Sequence, residues 1–257
     1  MARENWTREE LIVAFNLYCK IPFGRIHNRN PEIIALAKAL GRSPSAAAWK
    51  LCNFARLDPS LKKRGIVGAK HGGKGDVEVW EEFNADWEKL AFESERLLAQ
   101  MTGRRLEQVA EISEEDLPRE GKERQRIVRT RVNQHFFRAT VLAAYGYRCC
   151  ITGLAVPELL NASHITPWSL DSQNRVNPRN GLCLNVLHDR AFDRGLMTIG
   201  SDWKVRFDDS LRSGTGSDGT GLSWLMQYEG RAVRLPQKFK PDPLLLARHR
   251  ERFGFQG

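Results

Sequence analysis

No stretch of this 257-residue chain stays apolar long enough to cross a bilayer. The opening Met-Ala-Arg-Glu-Asn-Trp also lacks the apolar core of a secretion signal. A cytoplasmic protein without membrane contact is therefore expected. Cys-x-x-Cys occurs nowhere, which removes the paired-thiol redox motif and the common zinc ribbons. The five cysteines (Cys19, Cys52, Cys149, Cys150 and Cys183) are odd in number and irregularly spaced, so they are expected to be buried and reduced rather than bridged. Neither a Walker A loop nor a dinucleotide glycine fingerprint appears, which argues against nucleotide-driven chemistry. Acidic residues are scarce at the start: residues 1–80 hold 14 Lys/Arg against 7 Asp/Glu, whereas residues 81–100 hold 2 against 6. The net charge of +9 suits a polyanionic partner, and the uneven distribution points to its first eighty residues.

The first hundred residues read as helices with explicit start signals. Thr7 and Glu10 form a capping box ahead of Leu11, Ile12, Phe15 and Tyr18. Asn30-Pro31-Glu32 starts a second helix that Gly41 stops, and Ser43-Pro44 starts a third. Two short helices across a tight glycine turn form a helix-turn-helix pattern, in which the start of the second helix enters the major groove. Arg42, Ser45, Lys50, Asn53 and Arg56 are the candidate DNA contacts. Leu61 to Gly75 follows with Lys62, Lys63, Arg64, Lys70, His71 and Lys74 among five glycines and no acid, a composition suited to phosphates. A single helix is predicted from Asp76 through Leu98, with Trp80 in the core and Glu81, Glu82, Glu88, Glu93 and Glu95 on a solvated face. Trp49 is likewise expected to serve packing. The domain assignment is a helical DNA-recognition domain over 1–100, a charged linker over 101–121, and a second domain over 122–257 with its core at about 149–196.

That core carries the chemistry. Ile151-Thr152-Gly153 and Leu159 to Ile165 suggest two short strands joined by a turn, with His164 near the end of the second. A polar loop leads to Asn180-Gly181-Leu182-Cys183-Leu184 and a helix from about Asn185 to Phe192 that bears His188. Neutral imidazole can take a proton from water or bind a divalent ion, the two tasks phosphodiester hydrolysis requires. Asp189 is expected to point outward. Beyond Gly195, a hairpin turning at Gly200-Ser201-Asp202, a glycine-rich loop from Ser213 to Gly221, and a last helix after Asp242-Pro243 complete the chain. His249, on that helix, is expected at the surface.

The segments Ala-Ser-His-Ile-Thr-Pro-Trp, Asn-Gly-Leu and His-Asp-Arg-Ala-Phe-Asp-Arg-Gly together resemble the HNH (ββα-metal) nucleases, in the branch found among bacterial restriction endonucleases. The resemblance spans roughly Arg131 to Asp208. It implies an α+β fold in which a two-stranded ribbon and a helix clasp one divalent cation behind the helical domain. It places His164 on the general base, Asn180 on the residue that shapes the loop and orients the base, and His188 on a metal ligand. Ser163 departs from the family pattern, standing where many members have an acidic ligand. Asp193 is the candidate replacement. Mg²⁺ or Mn²⁺ is the expected ion, with Ni²⁺ or Zn²⁺ the alternatives for a histidine-rich site.

Trp6-Thr7-Arg8-Glu9-Glu10, Lys50-Leu51, Asn53-Phe54, Leu57-Asp58-Pro59-Ser60 and Val79-Trp80-Glu81-Glu82-Phe83 resemble the DNA-reading domain of modification-dependent HNH restriction enzymes. This implies a nuclease that cuts foreign double-stranded DNA carrying methylated or hydroxymethylated cytosine. One site per chain implies a homodimer or successive nicks for a double-strand cut. The competing readings are a DNA-binding regulator with a degenerate HNH unit, and a nuclease acting on RNA or as a toxin.

Overall fold

The computed structural model describes residues 5–65, 72–113, 115, 117–213 and 220–256. The chain forms two compact units, Met1–Thr140 and Val141–Gly257. Among the described residues no helix is long and apolar enough to cross a membrane.

The first unit is helical throughout its described residues. Helix α1 (Arg8–Lys20) starts with the reciprocal Thr7–Glu10 box, each side chain accepting from the other's backbone N–H. Asn30 caps α2 (Pro31–Ala39), and Ser43 caps α3 (Pro44–Leu57). Gly41, between α2 and α3, adopts φ +62°, a left-handed conformation that lets the Arg42 N–H reach back to the Ala37 carbonyl at 2.8 Å. Asp58 caps the short α4 (Pro59–Lys62) and accepts the buried Tyr18 hydroxyl at 3.0 Å.

The helix predicted from Asp76 to Leu98 is two helices, α5 (Lys74–Ala85) and α6 (Trp87–Thr102). Asp86 breaks the run at φ −140°, and its carboxylate accepts the Lys89 N–H that would otherwise be orphaned. Phe15, Tyr18, Phe54 and Trp80 form the aromatic centre, with ring centroids 5.0 to 6.2 Å apart. Burying a ring such as Phe15 contributes about 2 kcal/mol. Glu95 does not share a solvated face with the other glutamates. It is buried on α6 and bonded to Lys20 and Asn16 of α1, because α6 packs its Ser94–Glu95 edge on that helix.

Two further helices, α7 (Leu106–Val109) and α8 (Lys122–Ala144), follow. Ala110 and Leu117 join Val128 and Val132 of α8 in a small apolar cluster, so part of the stretch read as a charged linker is packed.

In the second unit, β1 (Leu160–His164) pairs antiparallel with β2 (Gly181–Asn185), His164 opposite Gly181 and Leu160 opposite Asn185. The predicted partner strand at Ile151–Gly153 is instead a tight turn, with Gly153 at φ +76°. The true partner escaped prediction because every β2 residue is buried, which removes the polar–apolar alternation that marks a strand. Helix α9 (Val186–Asp193) follows β2 directly, and a hairpin of β3 (Met197–Ile199) and β4 (Val205–Phe207) succeeds it as expected. Then come α10 (Ser210–Ser213), α11 (Thr220–Met226) and α12 (Pro243–Arg252). Residues 214–219 of the expected glycine-rich loop, and Lys70 and His71 of the basic segment, lie outside the described residues.

His249 is not at the surface. It is buried on α12, stacked on Phe192 at 3.7 Å, and its Nε2–H donates to the Phe192 carbonyl at 3.2 Å. Because that carbonyl can only accept, Nδ1 must accept the Thr198 hydroxyl, 2.9 Å away. One turn further, the Phe253 ring covers Gly195, where a Cβ would lie 2.1 Å from a ring carbon.

Candidate active site

The ribbon and α9 bring His164, Asn180 and His188 into one small structure, each held by a different device. Asn180 is fully buried after the sixteen-residue loop that joins the strands. Its Oδ1 accepts the Thr166 N–H at 2.8 Å, while its Nδ2 donates to the carbonyls of Thr166 at 3.0 Å and Asn174 at 3.1 Å. One side chain thus fastens both ends of the loop to the ribbon. Asp171, Asn174 and Asn177 tie the loop together internally, and the Arg175 guanidinium adds a bond to the Trp168 carbonyl at 2.8 Å.

That loop presents the Arg175 carbonyl 2.9 Å from Nε2 of His164. A carbonyl accepts only, so Nε2 carries the proton and the imidazole lone pair lies on Nδ1. Trp168 sets the ring edge-on at 5.7 Å. Burial pulls the His164 pKa below the ordinary imidazole value of 6.5, partly opposed by the Arg175 carbonyl and the charge of Asp189. The ring is neutral at neutral pH, as a base must be.

His188 is the mirror case. Asn185 caps α9, and its Oδ1 accepts the backbone N–H groups of Leu187 at 3.1 Å and His188 at 2.9 Å. Those two donors identify the atom as oxygen, so Nδ1–H of His188, 3.0 Å away, donates to it as well. Nε2 therefore holds the lone pair, and it is buried without a hydrogen-bond partner. The Trp224 and Tyr228 rings lie 5.9 and 5.4 Å from the imidazole, and burial lowers its pKa to about 4.

Asn185 is in turn held by the turn before β1. Its N–H donates to the Cys149 Sγ at 3.4 Å, and its Nδ2 to the Thr152 hydroxyl at 3.4 Å. Sequence reasoning placed Asn185 only at the helix boundary and missed its part in orienting His188. The signal was available: an N-cap Asn three residues before a His can serve both the helix and the ring.

Ser163 is buried beside His164, and its hydroxyl, like Nε2 of His188, has no partner. The orphaned imidazole nitrogen of His188 fits a divalent ion, which would satisfy a buried group that otherwise costs about 1–3 kcal/mol. No group of three or more His, Cys, Asp and Glu side chains converges among the described residues. The protein share of such a shell is therefore one imidazole with oxygen donors to complete it.

Asp193 is the last residue of α9 and exposed. Five helical positions turn it by about 140° from His188, off that residue's face. Desolvation by the surrounding protein and the neighbouring Asp189 carboxylate raise its pKa. Asp189 does not point outward. It is half-buried, and it accepts Nδ2 of Asn161, on β1, at 2.7 Å.

Four of the DNA-contact candidates in the first unit, Arg42, Ser45, Lys50 and Asn53, line one cavity of about 1020 Å³. Most of them already have partners. Arg42 grips the Glu10 carboxylate at 2.7 and 2.8 Å, Lys50 bonds to Asp76 at 2.8 Å, and the buried Asn53 donates to Asp76 at 2.9 Å. Ser45 is exposed and accepts Nδ2 of Asn28 at 3.1 Å. Arg56 packs its guanidinium on Gly72, where a Cβ would come within 2.2 Å of it. Lys62, Lys63 and Arg64 are exposed. Trp80 is core, but Trp49 is 60% exposed and lines the cavity rather than the interior.

Residues 149–200 match the HNH endonuclease family (HNH_2), a span that contains β1, β2, α9 and all three site residues. The second unit thus carries an HNH endonuclease domain. No curated protein matches the chain.

Proposed function

We propose that the protein is a metal-dependent DNA endonuclease of restriction type, whose helical unit selects the DNA that its HNH domain cuts. The observation that carries the reading is the complementary pair of histidine tautomers. His164 keeps its lone pair on Nδ1 as a base, and His188 keeps its own on a buried, unpartnered Nε2 as a ligand. His164 takes the proton of the attacking water, and Asn180 holds the loop whose carbonyl sets the orientation of that base. His188 holds the ion, Mg²⁺ or Mn²⁺ in this reading. When bound, the ion supplies positive charge to the scissile phosphate and the departing oxygen. Asp193 contributes negative charge near the site without sharing the His188 face.

Arg42, Ser45, Lys50, Asn53, Arg56, Lys62, Lys63 and Arg64 are assigned to DNA, with α2 and α3 as a helix-turn-helix pair, and methylated or hydroxymethylated cytosine as the preferred target. The net positive charge of residues 1–80 and the exposed Lys62, Lys63 and Arg64 support DNA binding by this unit. Cleavage of matched plain, 5-methylcytosine and 5-hydroxymethylcytosine duplexes with Mg²⁺ or Mn²⁺ tests the whole reading. His164→Ala is expected to lower the rate by about 10³-fold while folding and DNA binding persist. Undiminished cutting by that variant would sink the assignment. Ser163, in place of an acidic ligand, favours one rival: a DNA-binding regulator whose HNH unit is degenerate. Binding without cleavage of any of the three duplexes, in any divalent ion, would establish that rival.

A further inference from the structure

The cavity in the first unit sets two indoles beside cations that are paired with carboxylates. Of the three cations that line it, Arg42 is paired with Glu10 and Lys50 with Asp76, and both lie against the Trp6 ring, at 4.6 and 5.2 Å from its centroid, while the exposed Lys74 lies 3.3 Å from the exposed Glu78. Beside these cations the lining offers two flat, neutral surfaces, the indole of Trp6 and the largely exposed indole of Trp49.

A second observation points to the ligand's hydrogen bonding. Asp76 is buried and accepts from Lys50, from Nδ2 of Asn53 and from the Gly73 N–H at 2.9 Å. Because a carboxylate only accepts, the Asn53 amide must face it with nitrogen, which leaves Oδ1 over. That oxygen is buried and has no partner, and Asn53 lines the cavity. An acceptor stranded in this way requires an N–H or O–H donor.

We infer that this cavity seats a nucleobase swung out of the DNA duplex. Planar heterocycles with N–H edges meet each requirement: they stack on indole faces, carry no charge, and give a donor to Asn53. Stacking of a base on an aromatic side chain offsets the cost of taking it out of the helix. The volume of about 1020 Å³ leaves room for the attached sugar as well. This inference rests on the reading that DNA is the partner of the chain, but not on the chemistry of the HNH domain.

The test is equilibrium binding of the full-length protein in the presence of a chelator, so that cleavage plays no part. Three duplexes of one sequence are compared by fluorescence anisotropy. One is fully paired, one has a single base opposite a tetrahydrofuran abasic analogue, and one has the analogue on both strands. A seat for an everted base makes the second duplex bind about tenfold or more tightly than either of the others, because its base is already unpaired. Trp49→Ala, at an exposed position that tolerates truncation, should erase that preference. Trp49→Phe should restore most of it. Equal binding of the three duplexes overturns the inference, as does a preference that survives Trp49→Ala. Cytidine and adenosine at millimolar concentration distinguish the source of the base. If they leave the duplex preference intact, the seat belongs to the strand. Tight nucleoside binding without any duplex preference overturns a DNA-borne base. A failure to cleave DNA would overturn the nuclease reading and leave these binding results unaffected.

Discussion

The cavity of the helical unit and the ribbon of the HNH domain treat polar groups in opposite ways. Around the first, charges are matched: Arg42 with Glu10, Lys50 with Asp76. Around the second, two imidazoles are held neutral by burial and each is fixed by one acceptor, so that the other ring nitrogen carries a lone pair. Pairing charges builds a stable surface with a defined shape, whereas a neutral imidazole held in one tautomer keeps a lone pair in a fixed direction. A count of basic residues would have made the first region the electrostatic one. The pairing shows that several of its cations hold the protein together instead.

The largest effect expected from breaking this contrast is in the first unit. Lys50→Met leaves the buried Asp76 without its cation and should destabilise folding by about 3 kcal/mol in urea denaturation. If the variant instead unfolds like the parent and weakens DNA binding at every salt concentration, Lys50 is a phosphate contact and the contrast fails. Asn185→Ala comes next. It frees the His188 ring and should weaken Mn²⁺ binding, followed by calorimetry, about 10- to 100-fold. The lost cap adds roughly 1 kcal/mol of destabilisation. An unchanged ion affinity would show that His188 is not held for that purpose.

Gly195→Ala should cost about 2 kcal/mol, since the new methyl group meets the Phe253 ring at a residue with φ +70°. Thermal melts that coincide with the parent would refute that packing. The smallest effect is on pH. His188 and His249 both have pKa values held down to about 4, so between there and 6.5 the unfolded chain binds more protons than the native one. Stability contributed by these groups is therefore full above about pH 6.5 and declines as the pH falls toward 4. A flat stability profile across that window would mean that the rings are not buried neutral.

The caps and the polar motif were legible in the sequence for a common reason: each is local. Thr7, Asn30, Ser43 and Asp242 act on amides two or three residues away, and all four are N-caps. The order His164, Asn180, His188 marked the candidate site, inside the span that matches the HNH endonuclease family. What stayed hidden depended on distant partners. The pairing of β1 with β2 spans a loop, and the burial of Glu95 requires Lys20, 75 residues earlier. Burial of His249 requires Phe192, 57 residues away. The break at Asp86 was visible in principle, because Asp is a strong cap, but the continuous apolar spacing on either side concealed it.

The packing of α12 on α9 also has a consequence in time. His249 and Phe253 grip Phe192 and Gly195, the residues that end the helix bearing His188. A ribosome finishes that helix well before it finishes its clamp. During synthesis the residues of the candidate site are therefore made before the helix that buttresses α9, and the end of α9 is fixed only once α12 has been made. The order of synthesis thus makes the short helix bearing His188 one of the last parts of this unit to be locked in place.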